Sequence, residues 1–260
     1  MIGLNKYGRK TVLAIGTLIT FLLLWQAYVS VFQVPPQILP APLAFASKFW
    51  SNLTMGGIGA HIGTTLYEIF IGFVIGSLLG LVFGYLLAKS VLLERLFTPY
   101  IVLAQIAPKI SIAPLFVLWF GLGASSKIAL VILVVFFPIM VNTIIGIRSV
   151  ERNMQDLLHI LKANRWQRFY SVEIPYSLPS IMSGLKVSTT YAITGAVIGE
   201  MIGAKAGLGY LVILGSETFD INMILTAVLL LSVMGLILYL LSNYLEKKVL
   251  HWHESQEMIM

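Results

Sequence analysis

Residues 62–88 read IGTTLYEIFIGFVIGSLLGLVFGYLLA. This stretch holds one charged residue, Glu68, and is longer than the roughly 20 apolar residues with which a helix crosses the hydrocarbon core of a bilayer. Glycine recurs within it at every fourth position, as Gly72, Gly76, Gly80 and Gly84. Residues four apart lie on one face of an α-helix, so these glycines form a smooth stripe that a neighbouring helix can approach closely. We therefore predict a membrane-spanning helix that packs against another helix through this face.

Further apolar stretches bring the expected number of transmembrane helices to about six. The expected spans are residues 11–32, 62–88, 97–120, 127–147, 180–203 and 222–245. The chain of 260 residues is 58% hydrophobic and only 11% charged, which is too apolar for a domain with a water-facing surface. We predict an all-α polytopic membrane protein, with residues 1–260 forming one transmembrane domain. Gly195 and Gly199 repeat the small-residue spacing in the fifth span and predict a second packing face.

The basic residues are distributed unequally between the two sides of the expected spans. With the N-terminus inside, the cytoplasmic side carries Lys6, Arg9, Lys10, Lys89, Arg95, Arg148, Arg152, Lys162, Arg165, Arg168, Lys247 and Lys248. The outer loops carry Lys48, Lys127 and Lys205. Because an excess of lysine and arginine marks cytoplasmic loops, we predict a membrane protein with both termini in the cytoplasm. Topology and contact with membrane lipid account for the net charge of +6, and we expect no nucleic-acid partner.

Several enzymatic chemistries lack the residues that they need in this sequence. Cysteine is absent, which excludes disulfides, cysteine zinc sites and a thiol nucleophile. The chain has no Gly-x-x-x-x-Gly-Lys-Ser/Thr phosphate loop and no His-Glu-x-x-His zinc motif. Ser183 and Lys186 match the Ser-x-x-Lys spacing of some acyl enzymes, but no second motif of those enzymes accompanies them. We expect no catalytic residue, no metal site and no cofactor bound by this chain.

Residues 151–169 are helical in pattern yet too polar to enter the bilayer. An apolar stripe spaced i, i+3, i+4 and i+7 predicts a short amphipathic helix. The stripe consists of Met154, Leu157, Leu158 and Leu161. Asn164 and Gln167 have the spacing of a capping box at the start of a second helix, and Pro175 and Pro179 are expected to break the chain after it. Such a cytoplasmic segment lies on the membrane surface or docks on another protein.

This segment resembles the Glu-Ala-Ala loop of binding-protein-dependent ABC permeases. The similar phrases are Asp156-Leu157-Leu158, Lys162-Ala163-Asn164-Arg165-Trp166-Gln167, Ile174-Pro175 and Leu178-Pro179. The resemblance extends to Pro114-Leu115-Phe116-Val117-Leu118-Trp119-Phe120-Gly121, Gly199-Glu200-Met201-Ile202-Gly203-Ala204 and Gly207-Leu208-Gly209-Tyr210. These phrases are similar to the sulfonate, taurine and nitrate branch, which also includes transporters of bicarbonate and of thiamine-precursor pyrimidines.

The resemblance implies the permease fold of type I ABC importers and a transport subunit without its own ATPase site. It also implies import of a small solute by alternating access, with the solute delivered by an extracytoplasmic binding protein. The other implied partners are two ABC ATPase subunits, which bind ATP and Mg, and a second permease, which is either another copy of this chain in a homodimer or a close relative. The implied location is the bacterial inner membrane. In the family, this loop forms the coupling helix that sits in a groove of the ATPase. The residues thereby implied in coupling are Asp156, Leu157, Leu158, Leu161, Lys162, Ala163, Asn164, Arg165 and Trp166.

The loop departs from the family pattern at three places. Leu157 and Leu158 replace paired alanines, and Asp156 stands where glutamate is usual. Lys162 takes the position of a glycine that ends the first helix. Because glycine would have supplied a left-handed stop, we expect the helix to run on past Lys162. The larger side chains predict a permease matched to its own ATPase.

Three charged residues within the expected spans are candidates for the transport path or a gate. Lys109, between Pro108 and Pro114, either attracts an anionic solute, pairs with a carboxylate or marks a break near the membrane surface. Glu68 and Glu200 are gate residues, partners in structural salt bridges, or residues at the water interface. Spans with glycine stripes and buried charges also suit an ion-gradient-driven secondary transporter, the alternative to an importer. That alternative explains residues 151–169 less well.

Overall fold

The structure is a computed structural model that describes residues 6–55 and 57–251, without the side chains of residues 6–11, Met55 and Arg152. The termini that the sequence places in the cytoplasm, residues 1–5 and 252–260, lie outside the described residues. The regular secondary structure of the described residues is helical, which confirms the all-α prediction. The helices are α1 (Lys6–Val31), α2 (Pro42–Met55), α3 (Ile58–Lys89), α4 (Val91–Ile106), α5 (Lys109–Phe120), α6 (Ala124–Arg148), α7 (Arg152–Ile160), α8 (Arg165–Arg168), α9 (Ile174–Gly203), α10 (Leu208–Glu217) and α11 (Ile221–Val249), with a π-helical turn at Phe169–Glu173 between α8 and α9.

Four helices in the described residues are individually long and apolar enough to cross a membrane. These are α1 over Val12–Val31, α3, α6 and α11. Two bent pairs raise the number of candidate spans to six, namely α4 with α5, and the continuous helical stretch Arg165–Gly203 with α10. The structure therefore agrees with the expected span number, although α2 and α10 are helical where the sequence predicted connecting segments.

The expected span 97–120 consists of two helices that meet at 94°. The break falls at Ala107, whose ψ of 133° is extended, and at Pro108, which precedes α5. A proline disfavours helical geometry in the residue before it, because its ring collides with that residue's backbone. Lys109 is therefore the first residue of α5, and it lies at a break in the expected span, as one of the three alternatives considered for it states.

One compact unit contains the described parts of residues 1–59 together with residues 211–228. Within it, α1 and α2 are in contact, with the rings of Trp25 and Phe45 6.3 Å apart. Asp220 caps the start of α11, where its Oδ1 accepts a hydrogen bond from Met223 N at 3.2 Å. Gly215 lies against Ile224, which brings the end of α10 close to the start of α11.

The second unit contains residues 60–210 and the described part of residues 229–260, with α6 at its centre. Both predicted glycine faces lie against α6. On α3, Gly72, Gly76, Gly80 and Gly84 lie against Val131, Val135, Ile139 and Thr143, respectively. On α9, Gly195 lies against Val134 and Gly199 against Lys127. Because the glycines have no side chains, α3 and α9 approach the same helix closely. The residues of α6 that face α3 are almost fully buried.

The predicted break at Pro175 and Pro179 does not occur. Helical conformation continues from Arg165 to Gly203, with Pro175 directly after the π-helical turn and Pro179 inside α9. In that turn the hydrogen bonds span five residues, as in the bond from Ile174 N to Phe169 O. The backbone hydrogen bonds change from π-helical i to i−5 spacing to α-helical i to i−4 spacing at Pro175, which has no N–H group to donate. The proline therefore interrupts no regular series of α-helical hydrogen bonds.

Candidate functional site

The first helix of the 151–169 segment, α7, ends at Ile160. Lys162 adopts a left-handed conformation with a φ of 52° and donates its N–H to His159 O at 3.0 Å. Ala163 N donates to Leu158 O, also at 3.0 Å, which completes a Schellman motif. The expectation that the helix runs past Lys162 is therefore wrong. The lysine supplies the left-handed stop itself, at a conformational cost of about 1–2 kcal/mol.

The second helix, α8, starts at the predicted capping box. The Asn164 side chain accepts a hydrogen bond from Gln167 N at 2.8 Å, and the Gln167 side chain accepts one from Asn164 N at 2.9 Å. The capping-box prediction is confirmed, and the turn between α7 and α8 is held at both ends by defined hydrogen bonds.

The predicted apolar stripe of α7 divides into two sets. Met154 and Leu158 face the protein, where they pack with Val150 and Val172, and Ala163 also contacts this cluster. The other two stripe residues, Leu157 and Leu161, are 46% and 66% accessible. Ile160 and Trp166, which the predicted stripe did not include, are also exposed, at 76% and 69%, and the four residues together are called here the exposed apolar set. The single continuous face expected from the sequence is therefore wrong, because α7 ends before Leu161 and only a narrow face meets the protein. Of the other residues implied in coupling, Asp156, Lys162, Asn164 and Arg165 are exposed and Ala163 is half-buried.

An ion pair connects this region to α3, and a second ion pair joins α6 to α4. Glu173, which is 5% exposed at the end of the π-helical turn, pairs with Lys89 at the end of α3 and accepts a hydrogen bond from the Tyr85 hydroxyl at 3.3 Å. Arg148 at the end of α6 forms a two-pronged pair with Glu94 of α4, with one N–O distance of 2.6 Å. The 151–173 region is thus linked to α3 by charge and to its own apolar cluster by packing.

Glu200 lies at the other end of the second unit and is 1% exposed. Its Oε1 accepts a hydrogen bond from Thr65 Oγ1 at 2.6 Å, and its Oε2 accepts one from Gly209 N at 2.6 Å. Gly209 is the second residue of α10, so this carboxylate caps α10 and joins it to α9 and α3. Glu200 is buried, so it does not lie at the water interface, and it forms no salt bridge within 4 Å among the described residues.

Glu68 and Lys127 are buried close to Glu200, with exposures of 2% and 1%. Lys127 donates hydrogen bonds to the carbonyl oxygens of Leu122, at 2.7 Å, and Gly203. The sequence predicted Lys127 in an outer loop, and that prediction is wrong because the Gly121–Gly123 turn directs the start of α6 into the protein. Glu68 borders a cavity of about 350 Å³, and its Oε2 receives no hydrogen bond within the described residues.

Lys109 borders a second cavity, of about 450 Å³, which lies against α5, α6 and α9 and is called here the central cavity. Its Nζ donates to Gln105 O at 3.0 Å and lies 5.7 Å from the centre of the Phe137 ring. No carboxylate pairs with Lys109 among the described residues, so the ion pair considered for it is absent there. The three candidate path residues therefore lie in two places, with Lys109 apart from Glu68 and Glu200.

Several apolar helices, a buried polar cluster at one end and a capped amphipathic segment at the other define a multi-pass membrane transport subunit. Residues 72–251 match the family described as "Binding-protein-dependent transport system inner membrane component". The chain belongs to this family and is the permease subunit of an ABC import system. A separate ATPase and a solute-binding protein are its partners in such a system. The family assignment favours the importer over the ion-gradient-driven alternative.

Relatives extend over most of the chain. It is 37% identical to the riboflavin transport system permease protein RibX of Chloroflexus aurantiacus, over 92% of this chain and 89% of the relative. It is 34% identical to the formylaminopyrimidine transport permease protein ThiX of Halalkalibacterium halodurans, over 85% and 88%. The taurine transport system permease protein TauC of Escherichia coli is 28% identical, over 95% and 91%.

A solved structure of the MetNI methionine ABC transporter in inward-facing conformations contains a chain of similar fold. The TM-score is 0.67 at 17% identity, and the match covers 76% of this chain and 99% of the other. The predicted importer-permease fold is thus confirmed. The sequence did not point to Lys127 or Thr65 individually. The sequence did identify Glu68 and Glu200 as charged residues within apolar spans, and Gly207 and Gly209 lie against the Glu200 carboxylate.

Proposed function

We propose that α7 and α8 form the coupling segment of this importer and that the exposed apolar set contacts a partner ATPase subunit. The observation that carries this proposal is the exposure of four large apolar side chains on an otherwise polar segment. Exposed apolar groups of this kind mark sites of protein or membrane contact. Their fixed presentation by a Schellman motif and a capping box suits a protein groove, because both ends of the turn are already ordered.

In this proposal, a movement of the ATPase is transmitted to the membrane-spanning helices through an ion pair, a continuous helix and the glycine contacts. The Glu173–Lys89 pair connects the coupling segment to α3, and α9 continues from it without a break. The glycine contacts then join α3 and α9 to α6. In this proposal, ATP binding with Mg²⁺ on two ATPase subunits turns the packed helices and opens the permease outward, and hydrolysis resets it. This chain itself carries no ATPase site.

The proposed assembly contains two copies of this permease and an extracytoplasmic binding protein that delivers the solute. The names of the relatives cover riboflavin, a formylaminopyrimidine and taurine, and the proposed cargo is a small solute. Sulfonates, nitrate, bicarbonate and thiamine-precursor pyrimidines are the classes to test. The solute would leave the binding protein, pass between the two permease copies and enter the cytoplasm.

The coupling proposal is tested by ATP hydrolysis in the complex reconstituted with its ATPase and binding protein. Leu161→Asp replaces a 66% exposed leucine with a charge at the proposed contact. Burying a leucine at an interface contributes about 1.5–3 kcal/mol, so we expect binding-protein-stimulated hydrolysis to fall at least about tenfold. His159→Asp is the matched control, because it adds the same charge to an exposed position on another face of α7. Equal activity of the two variants would refute the assignment.

Leu158→Asp is unsuitable as a test of the contact, because Leu158 is buried in the chain's own apolar cluster and its replacement would disturb folding.

The proposed orientation, with both termini and the coupling segment in the cytoplasm, has an independent test. The chain has no cysteine, so single cysteines can be introduced without further changes. We expect a membrane-impermeant maleimide to label His159→Cys only in inside-out vesicles and Lys205→Cys only in right-side-out vesicles. The reverse labelling pattern would invert the topology.

A further inference from the structure

We propose that the central cavity binds the transported solute, and that this solute is a flat heteroaromatic compound with a hydrogen-bonding edge. The inference rests on the proposed import function and adds the chemical class of the cargo.

The cavity lies along the middle of the two central helices of the second unit. Its lining runs from Leu130 to Asn142 on α6 and from Val187 to Ile198 on α9, and it includes the break between α4 and α5 at Ala107. Backbone that leaves helical geometry at membrane depth is tolerated where it is buried in protein or lines a water-filled cavity. The α5 helix begins at this break without a side-chain cap, so its first N–H groups favour an electronegative ligand atom.

Two aromatic rings and several aliphatic side chains form the walls of the cavity. Phe137 belongs to α6 and Tyr191 to α9, and Tyr191 is 48% exposed. The aliphatic lining residues are Ile110, Leu130, Val134, Val141, Val187 and Ile198. Aromatic faces favour offset stacking or edge contact with another ring. The cavity volume of about 450 Å³ falls within the range of small-molecule sites, roughly 300–1,000 Å³.

The polar groups of the lining have unused hydrogen-bonding capacity. Lys109 uses one of its three donors on Gln105 O, and Asn142 uses its Nδ2 on Pro138 O at 2.8 Å. The Asn142 Oδ1, the Tyr191 hydroxyl and the Gln105 amide have no hydrogen-bond partner among the described residues. These groups can meet ring nitrogens, carbonyl oxygens and amino groups, which are the hydrogen-bonding groups of a heteroaromatic edge.

Compact oxyanions are a poorer match to this lining. Nitrate, bicarbonate and sulfonates are strongly hydrated, so entering the cavity costs them hydration free energy. Several charged hydrogen-bond donors are needed to offset this cost. Lys109 is the one cationic side chain among the lining residues, and the remainder are mainly apolar. A heteroaromatic solute buries an apolar ring against these walls and directs its electronegative edge to Lys109.

The test is isothermal titration calorimetry on the full permease in lipid nanodiscs. The probes are riboflavin, 4-amino-5-hydroxymethyl-2-methylpyrimidine and the aliphatic anion ethanesulfonate. We expect at least one heteroaromatic probe to bind more tightly than ethanesulfonate. Tyr191→Ala is expected to weaken that binding by about threefold to tenfold, because it removes one ring contact. Tyr191→Phe keeps the ring but removes the hydroxyl, so it is expected to weaken binding less than Tyr191→Ala does.

Matched variants separate the site from general effects on folding. Tyr176→Ala removes an exposed tyrosine of the same helix outside the cavity and is expected to leave the affinity unchanged. Lys109→Ala should weaken binding and Lys109→Arg should restore it. The proposal is overturned if neither heteroaromatic probe exceeds ethanesulfonate, or if Tyr191→Ala and Tyr176→Ala have the same effect. Because no ATPase is present, failure of the coupling proposal leaves this result unchanged.

Discussion

Replacing Gly72 by alanine perturbs the contact between α3 and α6 at a single atom. A Cβ at this position would lie 2.5 Å from Val131 Cβ and 2.6 Å from Val131 Cγ1, whereas carbon atoms prefer separations of about 3.5–4.0 Å. Val131 is 0% exposed, so its side chain has no free space to move into. The two helices must separate by about an ångström, and overpacking of this kind costs about 1–3 kcal/mol.

Gly63→Ala is the matched control on the same helix, because nothing lies within 4 Å of the added Cβ. Both variants gain the same helix propensity, up to about 1 kcal/mol, so the difference between them isolates the clash. The assay is SDS-induced unfolding of the purified permease in mixed micelles, followed by far-ultraviolet circular dichroism. We expect Gly72→Ala to be about 1–3 kcal/mol less stable than Gly63→Ala. Equal unfolding midpoints would refute the close packing of α3 on α6.

The remaining predictions concern the polar contacts and use the same unfolding assay. Lys162→Gly should stabilise the protein by about 0.5–1 kcal/mol, because glycine adopts the left-handed conformation without a Cβ penalty. Lys162→Ala, which keeps the Cβ, should show no such gain, and an equal gain would argue against backbone strain. Glu200→Ala should cost about 2–4 kcal/mol, since two buried donors lose their acceptor, while Glu200→Gln keeps one oxygen and should cost less. A harmless Glu200→Ala would mean that water reaches the cluster. Lys89→Ala should cost about 1–3 kcal/mol, because Glu173 is almost buried and loses its cation, and Lys89→Arg should recover most of this loss.

Local signals in the sequence predicted much of the coupling segment. The capping box of Asn164 and Gln167 formed as expected, because both of its hydrogen bonds join residues three apart. The end of α7 was harder to predict. Lys162 adopts a left-handed conformation at a position for which glycine is preferred. The packing of Leu158 and Ala163 in a cluster that includes distant Val172 stabilises this conformation. Tertiary contact there outweighs the local preference of lysine.

The candidate site was less predictable than the fold. The positions of Lys109 and Glu200 within apolar stretches identified them as unusual, but their partners are distant in sequence. Glu200 accepts a hydrogen bond from Thr65, which is 135 positions away in the sequence. Lys127 is buried, although the charge pattern predicted that it lies in an outer loop. The central cavity depends on the break at Pro108 together with the spacing of α6 and α9, which no single segment specifies.

The sequence by itself determined that the chain is an all-α membrane protein and which faces of α3 and α9 are smooth. It did so because length, apolarity and four-residue spacing act within one helix and need no partner. Only the tertiary structure decided that both glycine faces meet α6, that Glu200 caps α10, and that Leu158 is buried whereas Leu157 is exposed. The physical reason is that burial, and the hydrogen bonds that burial requires, depend on neighbours that the chain brings together from distant positions.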